Sequence, residues 1–162
     1  MPGKIKLLII DDEVKFLDSI AKRLELRDFD VTKATNGQEA IEAARAGRFD
    51  LALLDLKMPG MDGQQVLGIL KKEHKFLEVI ILTGHGSVNS AVECTKLGAF
   101  SYLPKPYEFE SLLQTLKDAY EARLKKKFEL DQARMEKLSK LATGSSPLGI
   151  LRAMQELDDE EK

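Results

Sequence analysis

The stretch LALLDLKMPGMDG, residues 51–63, decides the fold class. It opens with a continuous apolar run, Leu51 to Leu54, which is typical of a strand buried on both faces of a sheet. Asp55 closes the run. Pro59 and the glycines around it are loop residues, because proline fixes one backbone torsion and glycine adopts positive φ. Helical periodicity then continues to about Lys72, so the stretch predicts a strand, a loop and a helix with a carboxylate where the strand ends.

The same alternation of apolar runs and helical periodicity extends outward in both directions. We predict strands at 5–10, 30–34, 51–54, 79–82 and 100–103. We predict helices at 14–27, 39–46 and 88–97, another that follows residue 63 and ends at about 72, and a last one that begins at 109. Strands that alternate with helices form a parallel sheet, and right-handed crossovers place helices on both of its faces. The sequence therefore predicts an α/β fold with a doubly wound, five-stranded parallel sheet, flavodoxin-like or (βα)5.

Polar side chains stand at the ends of four of these strands. Asp11 and Asp12 follow the first, Asp55 closes the third, Thr83 follows the fourth and Lys105 follows the fifth. Because the carboxyl ends of parallel strands meet at one edge of a sheet, we expect all five to gather there. Three neighbouring carboxylates repel one another, and a lysine together with Mg²⁺ would offset that charge. Carboxylate, cation, hydroxyl and ammonium are also the groups that phosphoryl transfer uses.

Each of these residues also has an ordinary structural reading. Asp11 or Asp12 could cap the helix that follows, Asp55 could be a turn residue, Thr83 a loop hydroxyl and Lys105 a solvated charge. Their joint placement at the sheet edge that favours ligands makes a functional site the better interpretation.

Four blocks, IIDDE, LLDLKMPGMDG, ILTGHGS and YLPKPYE, resemble the receiver domain of two-component response regulators. The resemblance covers about residues 4–120. It implies that Asp55 accepts a phosphoryl group from the phosphohistidine of a sensor histidine kinase. It further implies that Mg²⁺ is held by Asp55, by Asp12 directly, by Asp11 through water, and by the backbone carbonyl of Lys57.

The same resemblance assigns a conformational switch. Thr83 would bind the phosphoryl group and Lys105 would pair with it, with Pro106 following in a cis peptide. Tyr102 would be the switch aromatic that follows Thr83 inward, although an aromatic on a last strand is equally well explained as partly buried core. The protein would thus be a phosphoacceptor switch that catalyses its own phosphotransfer and slow dephosphorylation, rather than an enzyme that turns over a substrate.

Three further residues have less defined roles. Lys57 and His85 lie at positions that, in the family, tune how fast the phosphoryl group is hydrolysed. His74 and His85 lack the spacing and companions of a metal site, so we expect both on loops or the surface.

The last third of the chain predicts an extension rather than a second core. We expect a receiver domain at 1–120, a continuing helix and coiled coil at 121–142, a linker at 143–147, and a short amphipathic helix with an acidic tail at 148–162. Apolar residues keep heptad-like spacing along the extension: Leu124, Phe128, Met135, Leu138 and Ala142. This seam favours a homodimer or the binding of a separate output protein.

Direct DNA binding is not expected, although seven lysines and arginines stand against three acids between residues 123 and 140. The basic residues surround the apolar seam as solvating charges do, and no helix-turn-helix pattern follows. The block GHGSVNSAVECTKLGAFSYLPKP is similar to receivers of NtrC-type regulators, which precede an ATPase domain. No phosphate-binding GxxxxGK follows here, so we expect a stand-alone regulator.

Composition supports a globular protein of the cytoplasm. The chain has 162 residues, 43% of them hydrophobic and 32% charged, with a net charge of −2. Its one cysteine, Cys94, cannot form an internal disulfide, which fits a reducing compartment. No apolar run approaches the roughly 18 residues of a membrane span, and the amino terminus lacks the long apolar region of a secretory signal.

Three other functional classes are weighed against the receiver. A pseudo-receiver scaffold that binds a partner constitutively is the main alternative, but the full set of acids, threonine and lysine argues against it. An aspartyl-nucleophile phosphatase needs a second acid where this chain has Lys57. A flavin carrier would place its phosphate against Asp11 and Asp12 instead of a hydroxyl- and glycine-rich loop.

Overall fold

The computed structural model describes residues 3–142 and 147–160. Five strands alternate with helices, and a sixth helix follows the long fifth one. The elements are β1 Ile5–Ile10, α1 Val14–Glu25, β2 Phe29–Ala34, α2 Gly37–Ala46, β3 Leu51–Leu54, α3 Gly63–Glu73, β4 Glu78–Thr83, α4 Val88–Lys96, β5 Ser101–Pro104, α5 Phe109–Ala142 and α6 Pro147–Glu160.

The five strands form one parallel sheet in the order β2-β1-β3-β4-β5. Leu8 and Ile10 of β1 join a core with α2, α3 and α4 on one face, while Leu7 and Ile9 join a core with α1 and α5 on the other. Because both faces are covered, the strands read as continuous apolar runs, and each fully buried leucine or isoleucine contributes about 1.5–3 kcal/mol. The predicted doubly wound fold is confirmed.

Side-chain caps fix where α2, α3 and α4 begin, and one of them corrects the prediction. The second helix was expected from Glu39, but α2 already begins at Gly37. The Asn36 side chain accepts a hydrogen bond from the Glu39 backbone N–H at 2.9 Å, which satisfies a free amide of the first turn. At α3, Asp62 and Gln65 form a reciprocal capping box.

Helix α1 begins at Val14 as predicted, but its cap and its carboxyl end differ from the prediction. Its N-cap is Glu13, and the cap position has no side-chain hydrogen bond, so neither predicted aspartate occupies it. Asp11 instead accepts the backbone N–H of Glu13 at 2.9 Å, ahead of the helix. The helix ends at Glu25 instead of residue 27, because Arg27 donates back to Leu24 in a tighter turn and Asp28 adopts a positive φ of 68°.

The bounds of β4 and β5 differ from the prediction by one residue at each end. β5 spans Ser101–Pro104 instead of 100–103, since its pairing with β4 begins at Ser101 opposite Ile80. β4 extends to Thr83, so this threonine is the last residue of the strand instead of the first residue of the loop. The change in β4 places the Thr83 side chain on regular, hydrogen-bonded backbone.

The chain divides into two compact units, Met1–Arg123 and Leu124–Lys162. In the first unit the early part of α5 packs against the sheet through four buried residues, Leu112, Leu113, Leu116 and Ala119. Arg123 ends this packing. Its guanidinium donates to Asp50 Oδ1 at 3.1 Å and to the Phe76 carbonyl at 2.6 Å. The register of α5 against the sheet is therefore held by a charged contact at the amino-terminal sheet edge.

The second unit consists of the rest of α5 and of α6. Exposed apolar side chains lie along both helices; those described are Leu124, Phe128, Met135, Leu148, Leu151 and Met154. Arg134 pairs with Asp158 at 3.0 Å, which joins the two helices. The predicted linker lies mostly outside the described residues, and α6 begins at Pro147, a residue suited to a first helical position.

Among the described residues, no helix combines the length and the apolar character that crossing a bilayer would require.

Candidate functional site

Three carboxylates meet at the carboxyl edge of the sheet. β1 and β3 are neighbours and end in register at Ile10 and Leu54, so the residues that follow them are adjacent. Oxygen atoms of Asp11, Asp12 and Asp55 all lie within 4.8 Å of one another. Asp11 is 2% exposed and Asp55 3% exposed, whereas Asp12 is partly exposed. The parallel topology thus concentrates negative charge in a largely desolvated place.

Lys105 supplies the opposite charge. The residue follows β5, where its backbone N–H donates to the Thr83 carbonyl at 2.9 Å. Its Nζ lies 2.6 Å from Asp11 Oδ2 and 3.9 Å from Asp55 Oδ2, and its side chain is 15% exposed. The peptide bond to Pro106 is cis. The ammonium therefore contacts two of the three acids, with the shorter contact to Asp11.

The charges and the free acceptor atom of the acid cluster favour the binding of a cation. Burial raises the pKa of Asp11, and the hydrogen bonds from Lys105 and from the Glu13 backbone oppose that rise. Among the described residues, the buried Oδ1 of Asp55 has no hydrogen-bond partner. An orphaned carboxylate oxygen beside two further acids is a donor set that suits Mg²⁺, which prefers oxygen ligands.

Thr83 is the last residue of β4, the strand that pairs with β3. It is buried, and its Oγ1 accepts the His85 backbone N–H at 3.1 Å. A cavity of about 410 Å³ lies beside it, with Tyr102 and Lys105 among its lining residues. Thr83, Tyr102 and Lys105 thus border one accessible space.

Tyr102 is tied to α4 by a contact that the sequence did not indicate. Its hydroxyl forms a 2.8 Å hydrogen bond with Ser90 Oγ, and Ser90 also belongs to the capping box at the start of α4. A side chain at Gly86 would overlap the Tyr102 hydroxyl, so the glycine permits the ring to lie there. In the sequence, a serine three residues after the N-cap Ser87 indicates only a capping residue. The contact between Ser90 and Tyr102 was therefore not predicted.

The remaining predicted residues lie at the periphery. Lys57 and His85 are exposed, and His85 was expected on a loop or the surface. His74 is the C-cap of α3 and is half-buried. The coordinating role of the Lys57 carbonyl and the tuning roles of Lys57 and His85 stay predictions.

Comparison with known proteins adds independent information. Residues 7–117 match the family of response regulator receiver domains. The transcriptional regulatory protein ZraR of Salmonella typhimurium is 35% identical over 158 residues, which are 98% of this chain and 34% of ZraR. The chain spans between 26% and 34% of the length of the first curated regulators that it matches.

Solved structures of similar fold are also response regulators or their receiver domains. A CheY-like receiver domain protein from Methanospirillum hungatei superimposes with a TM-score of 0.75 and 30% identity, covering 76% of this chain and 99% of that one. The response regulator TrrA from Thermotoga maritima, solved in complex with Mg²⁺-BeF, has a TM-score of 0.66 and 29% identity, covering 71% and 98%. The predicted resemblance, including its likeness to NtrC-type receivers, is confirmed. The chain belongs to the response regulator receiver domain family.

Proposed function

We propose that this chain is a phosphorylation switch in which Asp55 accepts a phosphoryl group from the phosphohistidine of a sensor histidine kinase. The observation that carries this proposal is the convergence of three acid side chains with the Lys105 ammonium, 2.6 Å from Asp11 and 3.9 Å from Asp55. A buried carboxylate without a hydrogen-bond partner on one oxygen is a suitable nucleophile, because that oxygen is free to form a bond.

Asp11, Asp12, Asp55 and the backbone carbonyl of Lys57 would hold Mg²⁺. When bound, the ion neutralises charge on the phosphoryl oxygens as the nucleophile approaches. This assignment also explains how the electrostatic repulsion among the three acids is offset. Three acids against one lysine leave an excess of negative charge that a divalent cation would offset.

The chain's own residues would then share the work of phosphotransfer. The Asp55 carboxylate attacks the phosphorus in line, an acyl phosphate forms, and the histidine of the donor departs. The Lys105 ammonium pairs with one phosphoryl oxygen. The Thr83 hydroxyl donates to another, since its present contact with His85 uses only an oxygen lone pair.

Those new contacts would supply the free energy of the switch. Moving a two-state equilibrium from 1:99 to 99:1 takes about 5.5 kcal/mol. Two or three charge-assisted hydrogen bonds at about 1.5–3 kcal/mol each provide that amount. In exchange, the Tyr102–Ser90 hydrogen bond, which contributes about 0.5–1.5 kcal/mol, would break as Tyr102 follows Thr83 inward.

The output would pass through the extension of α5. Phe128 is 63% exposed and Leu124 and Met135 are also exposed, so this seam would bury its apolar surface in a homodimeric coiled coil or against a separate output protein. We propose a receiver core at residues 1–120, with the later segments acting in this contact. The protein would work in the cytoplasm as a switch with slow self-dephosphorylation, tuned by Lys57 and His85, and not as an enzyme with substrate turnover.

Phosphotransfer from acetyl phosphate tests the proposal. Intact mass is measured with Mg²⁺ and with a chelator, for the wild type, Asp55→Asn and, as a matched control, Asp30→Asn at an exposed position of β2. We expect one phosphoryl group on the wild type and on the control in Mg²⁺, and none on Asp55→Asn. Labelling of Asp55→Asn at the wild-type rate would refute the assignment.

A constitutive scaffold is the second candidate, because the exposed apolar seam of α5, with Leu124, Phe128 and Met135, offers a surface for a partner. Molecular mass in solution separates the two. Mass that changes when beryllofluoride and Mg²⁺ are added supports the switch, whereas the same mass before and after supports constitutive association.

A further inference from the structure

An aromatic ring lies directly against the site lysine. Phe16 projects from α1, and the Lys105 Nζ lies 3.9 Å from the centre of its ring. Tyr107 meets Phe16 edge to face, with ring centres 6.1 Å apart and planes at 89°. Phe16 and Tyr107 are both partly buried at the border of the core that α1 and α5 share.

Three groups therefore surround the ammonium. Asp11 and Asp55 approach it with carboxylate oxygens, and Phe16 presents the negatively polarised face of its ring. Lysine has a long, flexible stem and no fixed donor geometry, so its position depends on such neighbours. Without the Phe16 ring, the ammonium would lose its attraction to α1. Only Asp55 would then oppose the shorter contact to Asp11.

We propose that Phe16 is a positioning residue that holds the Lys105 ammonium between Asp11 and Asp55, ready to pair with the phosphoryl oxygen. This inference rests on the proposed phosphotransfer at Asp55. As negative charge develops on the phosphoryl group, the ammonium must shift from Asp11 towards Asp55. A ring face allows that shift, because its attraction is spread over the ring and not fixed to one acceptor atom.

A simple packing role makes a different prediction. Leucine would fill much of the apolar space of Phe16, but it has no π face to attract a cation. The Lys105 side chain is only 15% exposed, and cation–π attraction strengthens when water is excluded. The aromatic character of residue 16, rather than its bulk, is thus the property to test.

The experiment compares Phe16→Leu, Phe16→Tyr and Phe109→Leu in the full chain. Phe109 is the matched control, since the Arg23 guanidinium also lies 3.9 Å from its ring, yet this pair does not include Lys105. Acetyl phosphate serves as donor at saturating Mg²⁺, so that docking of a kinase plays no part. Thermal melts establish that each variant is folded.

We expect Phe16→Leu to slow acyl phosphate formation about threefold to thirtyfold, the range that a partly desolvated cation–π contact supports. Phe16→Tyr should stay within about twofold of the wild type, because it keeps the ring face. Phe109→Leu should leave the rate unchanged. Equal rates for Phe16→Leu and the wild type would overturn the positioning role.

A spectroscopic readout keeps the inference testable if Phe16→Leu fails to fold. Protons above an aromatic face are shifted upfield, so the terminal side-chain protons of Lys105 in the unphosphorylated wild type should resonate upfield of exposed lysines. Ordinary shifts for these protons would overturn the inference without any variant. A wild type that shows the upfield shift but accepts no phosphoryl group would instead refute the proposed function alone.

Discussion

Replacing Asp12 by Asn in the absence of metal should stabilise the protein. Oxygens of Asp11, Asp12 and Asp55 lie within 4.8 Å of one another, and Lys105 contacts only Asp11 and Asp55. Asp12 is therefore the acid without a contact to this lysine. The amide of asparagine keeps the size of the side chain and removes its negative charge, so the substitution isolates electrostatic repulsion.

The magnitude follows from Coulomb's law. Two unit charges at 4.8 Å repel by about 3.5 kcal/mol at an effective dielectric constant of 20 and by about 0.9 kcal/mol in water. Asp12 faces two acids, and the lysine charge offsets roughly one of them. Because Asp12 is partly exposed, the net gain should fall between these limits, at about 1–3 kcal/mol.

Urea or thermal unfolding in a chelator measures this gain, with Asp30→Asn as a control on an exposed site of β2. The control should change stability by less than about 0.5 kcal/mol. Adding Mg²⁺ should stabilise the wild type and narrow or reverse the difference, because ligand binding to the folded state adds stability that the variant has partly lost. If Asp12→Asn were no more stable than the wild type in chelator, the repulsion argument would be refuted.

Four further outcomes are expected. Burial raises the pKa of Asp11, so the folded state binds the carboxyl proton of Asp11 more tightly than the unfolded state does. Stability in chelator should therefore fall as pH rises from the ordinary aspartate pKa through the raised one, and urea melts of Asp11→Asn should lack this fall. Gly63→Ala should destabilise by about 1–3 kcal/mol, because a Cβ there would lie 2.6 Å from the main-chain oxygen of Asp55, directly after β3. Gly68→Ala, in open space within α3, should stabilise by up to about 1 kcal/mol in the same denaturation assay. Gly86→Ala should displace the Tyr102 ring from its contact with α4, which tyrosine ring resonances in NMR spectra would report; unchanged resonances would contradict the close approach.

The sheet could be predicted because its strands are buried on both faces. β3 is an apolar run followed by Asp55, and β4 is an apolar run that ends at Thr83, a pattern typical of strands buried on both faces of a sheet. The gathering of Asp11, Asp55 and Lys105 then follows from parallel topology alone. Side-chain periodicity and strand direction carried most of the information about the site.

Contacts that depend on the direction of individual side chains could not be predicted. Nothing in the sequence pairs Phe16 with Lys105 or Ser90 with Tyr102, because each contact depends on side-chain direction across two elements. In the sequence, Arg123 is one of several basic residues that we expected to solvate the helix extension. In the structure its guanidinium contacts Asp50 and the Phe76 carbonyl at the amino-terminal edge of the sheet.

Element ends were also less certain than the elements themselves. The start of α2 depends on the Asn36 cap, and the end of α1 on the positive φ of Asp28. Both are local backbone choices that hydrophobic periodicity does not report.

The central claim is that Asp55 itself carries the phosphoryl group, and chemical trapping tests it most directly. The full chain is treated with acetyl phosphate in Mg²⁺, the acyl phosphate is reduced with borohydride, and peptides are sequenced by mass spectrometry. Reduction converts a phosphorylated aspartate to homoserine. We predict homoserine at position 55, dependent on Mg²⁺; homoserine at Asp11, Asp12 or another acid, with position 55 unmodified, would contradict the account.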